Sequence, residues 1–432
     1  MTAAHTDLAG PVARYASRLH EVIGYDHHVA SPLGAWLLLA LCGPASDGAN
    51  RVALTEALGC DIDVAASVAA DLLAHPHPLV AAAAALWHAP GSVSDQWLSG
   101  LPAEVMQTPR IPGQPELDAW ARRHTFGLID RFPIKVDPAV YLILASALAT
   151  KVSWECPFDL AAGSELGQQS PWAQRLARVL RAPRQHGHSA LIAATEGAGD
   201  VAMHVAAAHG GLAVASITAA PGVAPADVMA AAHTLAVAHV VGQPVQRRSL
   251  FDLPLGDGAA WTIREEMSAD AGERCDTVLP AWSASSTHDL GDPVLGFAAA
   301  AASLAVNAGD PWEARQGAMA RYSRTGFEAA AVTAMAIRLS MRMPCRGPMR
   351  TAELRFGHPF AVVAVTVDEP GGRRSGRDGH GPWHGIPVFS AWVADPQDAV
   401  ADPEDAIGDP EEATGHQETA TGHPEKATGD PS

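Results

Sequence analysis

Apolar positions recur along the chain with two different periods. Ala13 to Ile23 and Pro32 to Cys42 read as helices, and Arg51 to Leu58 predicts a short helix opened by the polar run SDGAN. Leu79 to His88 and Val140 to Leu148 are short, nearly continuous apolar runs of the kind that strands buried on both faces carry. Between these two runs, Glu116 to Asp130 predicts an amphipathic helix. Leu212 to Ala219 reads as a further strand, closed by Pro-Gly and followed by a helix over Pro225 to Leu235. Near the end, FGHPFAVVAVTV and IPVFSAWVA predict two strands joined by a long hairpin loop, Glu369 to Gly385. No Pro/Gly/Ser linker divides residues 1–394, which are therefore read as one α+β domain.

One segment carries both periods at once. Arg324 to Pro344 reads RTGFEAAAVTAMAIRLSMRMP, rich in the helix formers alanine, methionine, leucine and arginine. Every second residue from Ala329, however, gives Ala, Ala, Thr, Met, Ile, Leu, Met, Met. The other register holds Glu328, Ala330, Val332, Ala334, Ala336, Arg338, Ser340 and Arg342. That alternation suits a strand with one apolar face. A core helix ended by Pro344, with Arg338, Arg342 and Arg346 as a stripe, is the competing reading of the same residues.

Charge changes the picture at the C-terminus. The chain has 432 residues and a net charge of -18, from 29 basic and 47 acidic side chains. From Asp395 onward there are eleven acids and one base, so the body is near -8. The tail runs DPEDAIG, DPEEATG, HQETATG, HPEKATG, four degenerate heptads whose Pro and Gly leave no apolar seam, and 395–432 is expected to be disordered. No basic stripe exists to neutralise phosphates, which argues against nucleic acid as a partner. The first residues lack a basic region followed by an apolar run, and no stretch approaches eighteen apolar residues, so neither an export signal nor a membrane span is expected. A cytoplasmic location follows, with an extracellular one by another route as the alternative.

Five cysteines, odd in number and scattered, argue against a disulfide framework. Arginine outnumbers lysine 26 to 3, a bias attributed to a GC-rich, bacterial genome. Histidines cluster at His75 and His77, His186 and His188, and His380 and His384. None has HExxH spacing or a cysteine partner, so they are read as solvated loop residues, and no metal or cofactor is expected. There is no G-x-S-x-G, P-loop or dinucleotide fingerprint, and no catalysis of its own is expected.

The order of the segments resembles the serpin family, over about Leu8 to Pro396. SPLGAWLLLAL (Ser31 to Leu41) followed by SDGANRVALTEALG is similar to the family's second helix and the short helix after it. Trp120, Thr125, Gly127 and Ile129 resemble its sixth helix, and Lys151, Trp154, Pro157 and Phe158 the end of its central strand. GFEAAAVTA resembles the hinge of the reactive-centre loop. His358 to Phe360 and PVFSAWVADP resemble the last two strands. The resemblance implies an α+β fold of large mixed sheets with eight or nine helices and a reactive-centre loop at about 326–350. In such a fold the ambiguous segment is an exposed loop that a protease cuts, after which it inserts as a new strand in the central sheet.

What the resemblance implies for function is a suicide-substrate inhibitor of serine or cysteine proteases, acting as a monomer and ending in a covalent complex. The alternative is a non-inhibitory member that is cleaved or bound without trapping. The hinge would be Gly326, Phe327, Glu328, Ala329, Ala330, Ala331, Val332 and Thr333. Counting from Gly326 places the scissile bond at Ser340-Met341, with a bond after Met341 or Arg342 as alternatives. The sheet-opening region would comprise Ser31, Gly34, Ser146, Trp154 and Gln316. The chain departs from the family in having Phe327 where a small hydroxyl residue follows the hinge glycine. It also has Gly34, Ser146 and Gln316 where a serine, an asparagine and a histidine are usual. The remaining polar groups Ser31, Ser146 and Gln316 are expected to hydrogen-bond one another.

Overall fold

Three apolar runs that the sequence marks as strands form the middle of one sheet. A computed structural model describes residues 8–307, 310–327, 345–368 and 381–400. Its first sheet has six antiparallel strands in the order β1 (His28–Ala30), β19 (Pro387–Val393), β18 (Phe360–Thr366), β10 (Leu212–Thr218), β9 (Gly199–Ala208) and β8 (His188–Thr195). Every residue of β10, β18 and β19 is buried, because both faces of the sheet are covered. Strand parity sorts the two faces. Ala361, Val363 and Val365 pack with the helix α7 (Pro225–Val240), while Val362 and Ala364 join the main core. On that inner side lie α1 (Ala9–Ile23) and α2 (Pro32–Cys42).

The second six-stranded sheet runs β11 (Gly256–Asp257), β12 (Trp261–Ser268), β17 (Cys345–Arg355), β13 (Asp270–Leu279), β7 (Arg178–Arg181) and β6 (Asp159–Ala162). β17 lies antiparallel to β12 and parallel to β13. A third sheet has the order β14 (Trp282–Asp289), β15 (Arg315–Tyr322), β16 (Gly326–Phe327) and β5 (Val152–Ser153). A fourth has β3 (Met106–Thr108), β2 (Val80–His88) and β4 (Leu142–Thr150). The described residues include eight α-helices: those above plus α3 (Gly48–Leu58), α4 (Ile62–Ala74), α5 (Asp95–Gly100), α6 (Gln114–His124) and α8 (Phe297–Leu304). No described helix is long and apolar enough to cross a membrane.

The helix expected over Glu116 to Asp130 ends at His124 instead. Phe126 and Gly127 take left-handed φ values of 52° and 78°, and the Gly127 N–H closes on the Arg122 carbonyl at 2.9 Å. Thr125 reinforces the stop, its hydroxyl donating to the Ala121 carbonyl and accepting from the Ile129 N–H. A phenylalanine at positive φ is strained, and no period in the sequence announces it. Other bounds differ by a few residues. The strand read from Val140 to Leu148 spans Leu142 to Thr150, and the helix read from Pro225 to Leu235 continues to Val240.

The body continues to pack five residues past the boundary drawn at 394. Arg175 bonds the Asp395 carboxylate at 2.8 Å, and Asp398 Oδ1 accepts from the Ala177 and Arg178 N–H groups at 2.6 and 3.1 Å. The Gln397 N–H reaches the Ala281 carbonyl at 2.8 Å, and Ala399 is buried. Residues 401–432, with the repeats, lie outside the described residues. Because the repeats carry no apolar seam, truncation after Val400 is expected to leave the melting midpoint unchanged. Truncation after Ala394 removes several backbone and carboxylate bonds worth about 1 kcal/mol each and lowers the midpoint by several degrees. Two truncated chains compared by thermal melting check this, and equal midpoints would show that the 395–399 contacts carry no stability.

Candidate functional site

Two strand edges face each other across a cleft. β4 pairs with β2 along one edge over nine residue pairs, and β15 pairs with β14 over eight. Among the described residues their other edges have no strand partner until Tyr322. Leu144 to Ala149 form one wall and Arg315 to Met319 the other. Ser31, Gly34, Ala35 and Leu38 line the side of α2, and Trp120, Thr125, Ile129 and Phe132 the side of α6. The empty space is ≈ 870 Å³ with the open mouth and its solvent included. Parity again explains the walls: Ile143, Ala145 and Ala147 pack toward Trp120 and Phe132, while Leu148 belongs to the core around α2.

β16 closes one end of the cleft. Phe327 lies opposite Tyr322 on β15 and Val152 on β5, and Gly326 opposite Ser153, antiparallel to both neighbours. A chain continuing from Phe327 into the cleft would run antiparallel to both walls, and parity would aim Ala329, Ala331 and Thr333 to the same side as Phe327. Phe327 is already buried, edge-on to Trp282 with ring centroids 6.2 Å apart.

Both walls are tied to the start of α2. The Gln316 side chain on β15 accepts from the Ser31 N–H at 2.9 Å and donates to the Ser31 carbonyl at 2.8 Å. The Ser31 hydroxyl donates to the Val388 carbonyl at 2.9 Å and accepts from the Gly34 N–H at 3.3 Å, capping the helix. From the opposite wall the Ser146 hydroxyl on β4 donates to the Gly34 carbonyl at 2.8 Å. Gly34 matters as a close approach, since a Cβ there would stand 3.2 Å from Ser31 Oγ and 3.5 Å from Ser146 Oγ. Widening the cleft means breaking one of these bonds or moving α2 with a wall.

The whole architecture is similar to solved structures at low identity. Tengpin, a thermophilic serpin, in its native state gives a TM-score of 0.60 at 13% identity, covering 91% of this chain and 96% of that one. It has the serpin fold. Human thyroxine-binding globulin in complex with thyroxine gives 0.60 at 14%, covering 91% and 100%. Serpin48 of the insect Tenebrio molitor gives 0.57 at 13%, covering 91% and 99%. No family model matches the chain, and no curated protein matches it in sequence.

Within the serpin fold, the residues read from the sequence fall in three places. Ser31, Gly34, Ser146 and Gln316 meet at the start of α2, although the side chains do not bond one another as expected. Backbone groups of Ser31 and Gly34 stand between them: Gln316 bonds the Ser31 N–H and carbonyl, and Ser146 the Gly34 carbonyl. Trp154 sits at the other end, its Nε1 donating to the Ser323 carbonyl at 3.0 Å and its ring 4.9 Å from Tyr322. Tyr322 also lies opposite Phe327, so Phe327 and Trp154 share one aromatic cluster with Phe158 and Trp282. Glu328, Ala329, Ala330, Ala331, Val332, Thr333, Ser340, Met341 and Arg342 lie outside the described residues.

The histidines correct the sequence reading. His77 is buried in this serpin body, 3.7 Å from an Asp368 carboxylate oxygen and against Trp383. His188 bonds the Cys156 carbonyl at 2.7 Å and His204 at 3.1 Å, and burial holds its pKa below the ordinary value. Neither is a solvated loop residue, because each strand or loop carries its ring under a neighbour. Among the described residues no group of three His, Cys, Asp or Glu side chains is placed to hold a metal. Sequence spacing missed a buried cluster altogether, formed by His20, His28, His233 and His288 from four distant elements. Of the four, only His233 sits inside an apolar run, so no local spacing joins them.

Proposed function

We propose that the chain inhibits serine proteases as a suicide substrate. The supporting observation is the cleft itself: among the described residues its two facing strand edges have no strand partner until Tyr322, and Gly326 and Phe327 pair with β5 and β15 at its end. A serine hydroxyl of the target attacks a carbonyl in the segment after Phe327, the peptide nitrogen leaves with the proton relayed by the target's histidine, and an acyl-enzyme remains. The freed segment then adds to both edges before water reaches the ester. Drawing the target along the sheet disturbs its oxyanion hole, and loss of one donor there slows deacylation roughly 100- to 1000-fold. Such an inhibitor works as a monomer and needs no cofactor. Its partner is a serine protease, or a cysteine protease by the same acyl chemistry. Ser340-Met341 is the proposed scissile bond, with Met341 or Arg342 at its N-terminal side as alternatives.

A second reading, cleavage without trapping, draws support from Phe327, a bulky ring at the position where the chain departs from the small hydroxyl residue of the family it resembles. Incubation with trypsin-like, chymotrypsin-like, elastase-like and subtilisin-like proteases, followed by a denaturing gel, separates the two. A band near the summed masses is expected from at least one of them. Clean nicking by all four would sink the inhibitory reading.

A further inference from the structure

Four histidine rings meet in the core beside the α2 clamp. His20 is on α1, His28 on β1, His233 on α7 and His288 on β14, and all four are buried. His20 Nδ1 lies 2.8 Å from His28 Nε2, and His20 Nε2 2.7 Å from the Ser390 hydroxyl on β19. His20 and His233 stand 6.3 Å apart, and His28 and His288 5.7 Å, between ring centroids.

Hydrogen-bond logic assigns the protons. His28 Nδ1 lies 2.7 Å from the Asp26 carbonyl, which only accepts, so Nδ1 carries the hydrogen. His28 Nε2 must then accept from His20 Nδ1–H, leaving His20 Nε2 to accept from the Ser390 hydroxyl. His288 Nε2 donates to the Val29 carbonyl at 2.7 Å. A proton added at His28 Nε2 would confront His20 Nδ1–H directly, and one added at any other ring leaves a buried charge with no carboxylate to meet it. The groups facing the cluster are His27 and the exposed Asp26 before β1, and the Ser390 hydroxyl. Among the described residues no aspartate or glutamate is buried.

The cluster is joined to the clamp by its neighbours. His288 is the cross-strand partner of Gln316, so two adjacent side chains on β14 and β15 hold Val29 and Ser31. Whatever displaces His288 from Val29 pulls on the segment that Gln316 grips.

We propose that the His20, His28, His233 and His288 cluster is an acid-responsive latch that loosens the attachment of β1 and the start of α2 to β14 and β15, and so unties the β15 wall of the cleft. Burial depresses all four rings, His28 and His233 down to about 4. Because the opened form binds protons more tightly, the closed form is favoured fully above pH 6.5 and loses that advantage as the pH falls toward about 4. Each ring that moves from about 4 to 6.5 on opening favours the open form about 30-fold at pH 5.

Amide hydrogen exchange at pH 7 and 5, corrected for intrinsic rates, tests the latch. In the intact chain, protection of peptides covering residues 28–34 and 315–319 is expected to fall at least 100-fold between the two pH values, and that of β12 and β13 far less. Neither ring nitrogen of His233 has a hydrogen-bond partner among the described residues, so His233→Leu removes a proton site without removing a bond. In that variant the loss at 28–34 should shrink at least tenfold. If it does not fold, His288→Gln, whose amide still donates to Val29, is expected to give the same reduction. Protection lost uniformly along the chain, or an undiminished loss in the folded variant, overturns the proposal.

Discussion

A single cut within residues 328–344 raises the melting midpoint of this protein by roughly 10 °C or more. Cutting a chain ordinarily lowers stability, because it frees two ends. Here the edges of β4 and β15, which have no strand partner along the cleft among the described residues, reverse the sign. A strand entering between them makes on the order of a dozen ladder hydrogen bonds at about 1 kcal/mol each, and buries the alternate apolar residues beginning at Ala329 against the side of α2. For a body of this length the unfolding entropy at the midpoint is about 0.8 kcal/mol/K, so on the order of 10 kcal/mol corresponds to a shift of that size. Melting before and after limited proteolysis measures it. An unchanged or lower midpoint, with the cut confirmed by mass, would show that the cleft does not accept the segment.

Replacing Phe327 with threonine is expected to lower stability and to worsen trapping together. The bulk of Phe327 would be an obstacle if the ring had to force its way into the sheet after cleavage. The structure has the ring seated beforehand, opposite Tyr322 and edge-on to Trp282. Threonine therefore leaves a void worth roughly 3 kcal/mol in the uncut protein, about 3 to 4 °C in midpoint for a chain of this length. The hinge is then held less firmly at the mouth of the cleft. More acyl-enzyme is hydrolysed before capture, and the number of inhibitor molecules consumed per protease trapped rises. Wild-type and Phe327→Thr proteins compared in melting and in titration against one efficiently cleaving protease give both numbers. An unchanged midpoint would mean that the cavity closes around threonine, and a lower consumption would mean that the ring hinders insertion after all.

Local signals in the chain made much of this architecture legible. The run Pro32 to Cys42 is a helix from end to end, with Ser31 as its cap. Leu79 to His88 and Leu212 to Ala219 became β2 and β10 within one or two residues. Such segments are mostly buried, and tertiary context then agrees with the apolar pattern. The stop of α6 at His124 was not legible, because it rests on a phenylalanine in a left-handed conformation that is held by its surroundings. Nor was the docking of Asp395 to Ala399, where an acidic, proline-containing stretch resembles the repeats that follow but meets Arg175 and two free backbone N–H groups.

By itself the sequence determined the α+β class, the apolar runs that became β10, β18 and β19, and the alternation of apolar residues from Ala329 onward. Each depends only on neighbours along the chain, where periodicity and turn chemistry act. The tertiary structure alone decided that Gln316 and Ser146 grip the start of α2 from opposite walls, that Phe327 is seated before any cut, and that His20, His28, His233 and His288 share one buried cluster. Those contacts join residues up to several hundred positions apart, and their energies depend on distance and burial, which no local spacing encodes.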